Sequence, residues 1–594
     1  MKYKLRGKFP KDPNEALPAI LAARGVTDLD NFLYATSACE LNPYDLDHIN
    51  EAAEMLLRHL RNNSKICIII DSDTDGFTSS SIIWLYIKNI FPQANLSFTI
   101  HEHKQHGLED KIDWLVDNAY FDLVIVPDAG SYDVKEHRML GEIGCDCLVL
   151  DHHSQLYDDD GNPVISNCSN TIVVNNQLSP NYKNKALCGA GVVYKFCEVL
   201  DDILGIQQAQ NYLDLVALGE IADVMDRTYP ETNYLMLEGL SYIQNKGFQT
   251  LLAAQSFSLK EKAKYPWPGL TPIDIAFYIA PIINSITRVG TMTEKETMFY
   301  CFVEPDRIVP STKRGAKDGD TETAAEQTAR VGGNAKNRQN KIKEKALNLI
   351  DFKIQKDQLD QNNIIIIELD YEDNIPQEMT GLIAMAVVSK YHKPCLIGRR
   401  NSKNELAGSA RNDSNFEGLP SLKKFLEESG FFNYAAGHDN AFGHSIDVNK
   451  IDDFIHYCNT NLNPKDFENC YAVDYILEAD DYISPLLYSL AEHPEYFGNH
   501  IDEIKFIIKN IPLANIMAMG TNKDSIKISY NNIDYIKFKD LNFVEEVFNN
   551  RNKLLTIYGR ANLNTFNNKT TVQCFIDDYE FETAITNKEE YNFF

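Results

Sequence analysis

Ile66-Cys67-Ile68-Ile69-Ile70-Asp71-Ser72-Asp73-Thr74-Asp75-Gly76 is the stretch that decides the fold. Its first half is a β-branched run of the kind that fills a strand buried on both faces. Its second half sets Asp71, Asp73 and Asp75 at alternate positions just past the strand end. In a strictly extended chain these carboxylates would share one face, and Gly76 predicts a turn that fans them around a point. Three carboxylates so close repel one another by kilocalories in a low dielectric unless a cation neutralises them. An Asp/Ser/Gly run can also be a solvated turn, but the buried strand before it argues against that. A calcium loop would need a Glu eleven residues after Asp71, where this chain has Ile82.

Working outward, residues 79–90 have helical spacing, and further buried-type strands are expected at 96–100, 123–126 and 147–150. Strands alternating with helices predict a parallel sheet with helices on its faces, and such sheets bind ligands beyond the carboxyl ends of their strands. Two more clusters fall at that edge: Asp128 in Val126-Pro127-Asp128-Ala129-Gly130, and Asp151-His152-His153. Mixed carboxylate and imidazole donors favour Mn²⁺ or Mg²⁺, with Mn²⁺ the better match to the histidines. Two such ions a few ångströms apart promote hydrolysis of a phosphate ester or anhydride.

The rest of the 594 residues divides by composition. A helical region is expected over 190–298, a Gly/Thr/Lys/Asp-rich loop or linker over 311–333, and a helix with a basic polar face over 334–350. A second α/β unit opens at 364–369 and runs to about 448. Short strands at 526–528, 535–538, 554–558 and 571–576 then predict a small β-barrel or sandwich. The expected divisions are a lead segment 1–64, a catalytic unit 65–310, a linker and basic helix 311–350, a second α/β domain 351–455 and a β-rich domain 456–594.

The formal charge of −28 counts against non-specific duplex binding but allows a local basic groove. Residues 305–347 run against the trend, with ten Lys/Arg against six Asp/Glu. No apolar run reaches the length of a membrane span, and no apolar segment follows Met1-Lys2-Tyr3-Lys4, so neither a membrane anchor nor a secretory signal is expected. The twelve cysteines form no Cys-x-x-Cys pair and read as reduced thiols of a cytoplasmic protein.

The order DSDTDG, PDAG, DHH and Leu218-Gly219-Glu220-Ile221-Ala222-Asp223 resembles the four motifs of the DHH phosphoesterase superfamily. The resemblance implies metal ligands at Asp73, Asp75, Asp128, His152 and Asp223, with Asp71 close by. It also implies a phosphate contact from His153, beside Asp151. Further motifs resemble those of RecJ-like single-strand exonucleases. Cys188-Gly189-Ala190-Gly191-Val192 is similar to a Gly-Ala-Gly segment that opens a helix. Pro281-Ile282-Ile283-Asn284 with Arg288 is similar to a Pro-x-x-Asn-x-x-x-Arg signature, with Thr287 where the family has Gly. Gly408-Ser409-Ala410-Arg411-Asn412 and Ala436-Gly437-His438 resemble the phosphate-holding loops of a DHHA1 domain, each with a Gly-to-Ala change. Ser409, Arg411, Gly437 and His438 are therefore expected on the substrate side.

The strands near 553–578 are similar to an OB-fold, for which Phe566 and Tyr558 are candidate base platforms. His101, Glu102, His103 and His106 have metal-like spacing. The resemblance instead puts that segment, ending in Gly107-Leu108, on the phosphate side or in a structural role.

What the resemblance implies is a two-metal exonuclease. It would hydrolyse single-stranded DNA in the 5′ to 3′ direction to 5′-mononucleotides, in repair, recombination or replication; richness in Asn, Lys, Asp and Ile fits a low-GC bacterial or phage genome. A single-strand-binding or other replication protein is the expected partner. The alternatives are a phosphodiesterase of short oligonucleotides or cyclic dinucleotides, and a non-catalytic replication scaffold on the same fold.

Overall fold

Lys65–Ile70 is an inner strand of a five-stranded parallel sheet, ordered Asn95–Ile100, Lys65–Ile70, Leu123–Pro127, Asp146–Asp151, Thr171–Asn175. The computed structural model describes residues 1–103, 105–117, 120–157, 161–566 and 569–583. Alternation along Lys65–Ile70 sends Ile66, Ile68 and Ile70 into one core and Cys67 and Ile69 into another. The first core is closed by the helices Ile49–Arg61, Thr74–Ile90 and Gly189–Leu204, the second by Ile112–Asp117 and Val134–Glu142. Burial on both faces is why the strand reads as an uninterrupted apolar run. The chain leaves Lys65–Ile70 toward one edge and returns to Leu123–Pro127 on its other side. Asp71 and Asp128 therefore flank the point where strand order reverses, the crevice where open sheets bind ligands.

Three expectations change. The helix after the acidic run begins at Thr74, not at residue 79, because Asp73 caps it by accepting from the Gly76 amide at 3.0 Å. A fifth strand, Thr171–Asn175, adds an edge to the sheet. The expected loop to residue 333 is a short hairpin, Ile308–Pro310 with Thr321–Thr323, followed at once by a 34-residue helix, Ala324–Asp357. A capping box between Thr323 and Glu326 starts that helix, and Ala324, Ala325 and Val331 bury its first turns. The Gly332-Gly333 pair does not break it. A Cβ on Gly332 would lie 2.1 Å from Ile282 Cγ2, so glycine there lets the helix cross Ala280–Val289 closely.

The long helix leads into a second, mixed sheet, ordered Phe432–His438, Ala441–Asp447, Glu405–Arg411, Cys395–Arg400, Ile365–Glu368, with its own core. The C-terminal strands form a single seven-stranded sheet rather than a sandwich of two. Residues 1–64 serve two cores. Pro13–Ala23 and Leu29–Leu33 pack on the C-terminal sheet, whereas Ile49–Arg61 packs on the first. Among the described residues no helix is long and apolar enough to cross a membrane.

Candidate active site

The acidic run is the junction of strand and helix. A Cβ on Gly76 would lie 2.5 Å from Asp71 Cβ, so glycine is required here by close approach rather than by an open turn. Asp75, in the first helical turn, reaches across to a neighbouring helix, Gly189–Leu204. Its Oδ2 accepts from the Gly189 amide at 2.6 Å and its Oδ1 from the Ala190 amide at 3.0 Å, at the positive end of Gly189–Leu204. Thr74 Oγ1 donates to Asn284 Oδ1 at 2.9 Å, tying the motif to the helix that carries Arg288.

Asp128 has a left-handed backbone, φ +74°, unusual for a residue other than glycine. This conformation sets its carboxylate beside His152, whose Nε2 lies 3.1 Å from Asp128 Oδ1, 3.7 Å from Asp223 Oδ2 and 3.9 Å from Asp75 Oδ2. Asp151 is buried and accepts from the amides of Ser131, His152 and His153 and from His153 Nδ1 at 2.8 Å. It orients His153. Burial disfavours the imidazolium at His153, but the hydrogen bond and charge of Asp151 outweigh it and push the group up to about 10. His152 is instead held neutral, its pKa lowered by burial and by the charge of His153.

The donors form three overlapping groups: Asp71, Asp73, Asp128; Asp75, His152, Asp223; and Asp128, His152, His153. Burial, then the neighbouring Asp75 and Asp73, raise Asp128 and Asp223 well above the usual carboxylate range. Asp128 Oδ1 is buried yet accepts no hydrogen bond of good geometry, and Asp71 Oδ1 is likewise orphaned. Orphaned carboxylate oxygens facing a neutral imidazole fit divalent cations, with Asp128 common to two of the groups. His153, charged and bonded through Nδ1, fits a phosphate oxygen better than a cation.

A cavity of about 190 Å³ opens on this cluster, lined by Asp73, Asp75, Asp223, Asn284, Arg288 and Glu378. An adjoining cavity of about 590 Å³ shares Arg288 and Glu378 and extends to His103 and Arg399. From the second unit, Ser409 shares a 2.9 Å hydrogen bond with Thr380, and Arg411 donates to the Ala410 carbonyl at 2.7 Å. Burial and the nearby Arg288 lower the pKa of Arg411, and neither arginine forms an ion pair among the described residues. Two adjacent unpaired guanidinium groups make a site for an anion.

Gly437 has φ +130°, and a Cβ there would press on Phe442 Cα at 2.9 Å. His438 is exposed at the end of its strand and belongs to none of the three donor groups. His106 lies beside the carboxylate cluster, its Nδ1 2.5 Å from Asp71 Oδ2. His101 is buried between Asp110, at 2.7 Å, and Asp71, at 3.6 Å. The 101–106 histidines thus make no separate donor group among the described residues; two of them buttress Asp71.

Sequence reasoning missed Glu378, which sits in no motif and reaches the cavity from the second domain. It also missed the role of Gly189, where an added Cβ would lie 2.6 Å from Asp128 Oδ1. The Gly-Ala-Gly segment was its signal. Tyr558 is already stacked on Tyr471, ring centroids 4.2 Å apart, so that face is closed to a base. The Phe566 side chain lies outside the described residues.

Residues 65–220 match the DHH family, N-terminal domain, and residues 473–578 the RecJ OB domain. Over 610 residues the chain is 35% identical to yorK of Bacillus phage SPbeta, which carries the name of a single-strand DNA-specific exonuclease; the match covers 99% of this chain and 100% of that one. It is 23% identical over 577 residues to the single-stranded-DNA-specific exonuclease RecJ of Bacillus subtilis, covering 94% of this chain and 67% of that protein. The fold is similar to that of RecJ from Thermus thermophilus in complex with Mn²⁺, with a TM-score of 0.68, 19% identity, and 98% of this chain and 80% of that one covered. The Mg²⁺ complex of the same protein gives a TM-score of 0.64 at 18% identity, over 98% of this chain and 79% of that one.

Proposed function

The chain belongs to the RecJ-like single-strand DNA-specific exonucleases of the DHH family, and from that membership we propose that it shortens single-stranded DNA from the 5′ end, releasing 5′-mononucleotides. The observation that carries the reading is one cavity lined on one side by Asp73, Asp75 and Asp223, members of two of the donor groups, and on the other by Arg288 and Glu378. Polarity and product follow from the family resemblance.

Asp71, Asp73 and Asp128 would hold one divalent cation, and Asp75, His152 and Asp223 a second. Bound there, two such cations supply Lewis-acid activation of water and charge neutralisation at the phosphate. The residues do the rest. Asp151 fixes the angle of His153 and keeps its imidazole charged, so that its other ring N–H meets a phosphate oxygen. Arg288 and Arg411, from the two α/β units, take the remaining oxygens, with Ser409, Gly437 and His438 along the strand's path. Asp75 keeps the Gly189–Leu204 helix against the cluster, which fixes the gap between Asp75 and Asp128.

An OB domain supports a long single strand as substrate over di- to pentanucleotides. Work on DNA repair, recombination or replication in a bacterial cytoplasm, beside a single-strand-binding protein, fits relatives from a bacterium and its phage. Digestion of 5′-labelled and 3′-labelled single strands with Mn²⁺ tests substrate and polarity together. Early release of the 5′ label as a mononucleotide is expected; early release of the 3′ label, or equal digestion of blunt duplex, refutes the proposal.

A further inference from the structure

Asp223 directly follows the helix Leu213–Ala222, and the residue after it, Val224, has φ +56°. That left-handed conformation is disfavoured for a β-branched side chain and persists only where its surroundings enforce it. The turn closes on three carbonyls: Gly219 accepts from the Asp223 amide at 2.9 Å, Ile221 from Val224 at 3.2 Å and Glu220 from Met225 at 3.0 Å. Two of these carbonyls receive a second donor from the C-terminal domain. Asn499 Nδ2 lies 3.1 Å from Glu220 O and 3.4 Å from Ile221 O, and Asn499 is buried.

The loop delivering it is itself constrained. Asn499 and His500 both have positive φ, +46° and +69°, between Gly498 and Ile501, which exchange backbone hydrogen bonds at 2.9 and 3.1 Å. The clasp is reciprocal. Arg227, wholly buried just beyond the turn, donates Nη1 to the carbonyls of Glu495 at 2.8 Å and Phe497 at 3.1 Å in the same loop.

We propose that Asn499 is a positioning residue for the metal centre: by holding the strained turn at Val224 it aims the Asp223 carboxylate toward His152 and Asp75. The seating of the OB domain against the catalytic unit is then read out as metal affinity. This rests on the reading of Asp223 as a metal ligand.

The test is Mn²⁺ binding to the full-length protein, followed by electron paramagnetic resonance without substrate, for wild type, Asn499→Ala, Asp223→Asn and Val224→Gly combined with Asn499→Ala. Asn499→Ala is expected to weaken one of two Mn²⁺ ions about tenfold, the usual effect of losing a group that orients a ligand. Because glycine adopts a positive φ without strain, Val224→Gly should restore much of that loss. Asn499→Asp keeps the volume but removes the donor, and carries the same expectation should the alanine variant fail to fold. Wild-type Mn²⁺ binding by a folded Asn499 variant, alongside loss of an ion in Asp223→Asn, overturns the inference and leaves the ligand reading intact. Two ions at wild-type affinity in Asp223→Asn overturn the ligand reading and the inference with it.

Discussion

Asp75 and Gly189 are joined by a 2.6 Å hydrogen bond from backbone amide to carboxylate, across 114 residues of sequence. The same glycine lies against Asp128, where a Cβ would sit 2.7 Å from the Asp128 Cα. One residue thus spaces two carboxylates of the cluster. Gly189→Ala should fold but separate Asp75 from Asp128, lowering kcat by about 100-fold, the scale of an ångström misplacement. Steady-state kinetics with a thermal melt check this, and near-normal kcat would refute it.

Burial first, and then the charges of Asp75, Asp73 and Asp71, all disfavour the ionised Asp128 carboxylate. Asp128→Asn should therefore abolish turnover yet raise metal-free stability, by on the order of 1–2 kcal/mol. Wild type should gain more in Tm on adding Mn²⁺ than the variant does. Melts with EDTA and with Mn²⁺ decide it; a variant less stable than wild type in EDTA would count against crowded carboxylates.

Arg411 stands beside Arg288 without a carboxylate partner among the described residues. Arg411→Ala should weaken single-strand binding and make it less salt-sensitive, reducing the log–log slope by about 0.7 for the one phosphate that is no longer neutralised. Binding measured over a salt series tests this, and an unchanged slope would remove Arg411 from the substrate path.

His444 and His137 are buried, and burial lowers both pKa values to about 4. Each folded value lies below the unfolded one, so the unfolded chain binds more protons in acid. Stability is then complete above about pH 6.5 and falls as pH drops toward 4, by roughly 3 kcal/mol for each histidine. His444→Leu should flatten that decline by about half. Denaturant melts from pH 7 to 4 provide the check, and an identical acid limb in the variant would refute it.

Lys195 is wholly buried, with Glu40, Glu198 and Glu231 at 2.9–3.0 Å. It fastens the N-terminal segment to the helix Gly189–Leu204. Lys195→Met strands these carboxylates and should cost about 3–5 kcal/mol, read by chemical denaturation. A loss below about 1 kcal/mol would mean that the segment is held by its apolar contacts alone.

The first sheet was legible because burial on both faces writes itself as unbroken runs of Ile, Val and Leu, and the carboxylates stand directly at the ends of those runs. The start of the helix at Thr74 was not, because Asp73 serves as both cap and candidate ligand, and a cluster of polar residues reads as a turn. The long helix was cut short in sequence for a similar reason. Gly332 and Gly333 look like breakers until Ile282 is seen against the first of them.

By itself the sequence determined the parallel sheet, the donor types at its carboxyl edge and the family. These depend on local patterning, and on like charges that no fold keeps together without a counter-charge. Only the tertiary structure decided which residues hold those donors in place. Gly189 spaces Asp75 from Asp128, His106 and His101 buttress Asp71, Glu378 closes the cavity from a second domain, and Asn499 reaches the Glu220 carbonyl, just before Asp223, from 279 residues away. Such contacts follow from how separate cores pack, and side chains so far apart along the chain leave no shared period for a sequence to display.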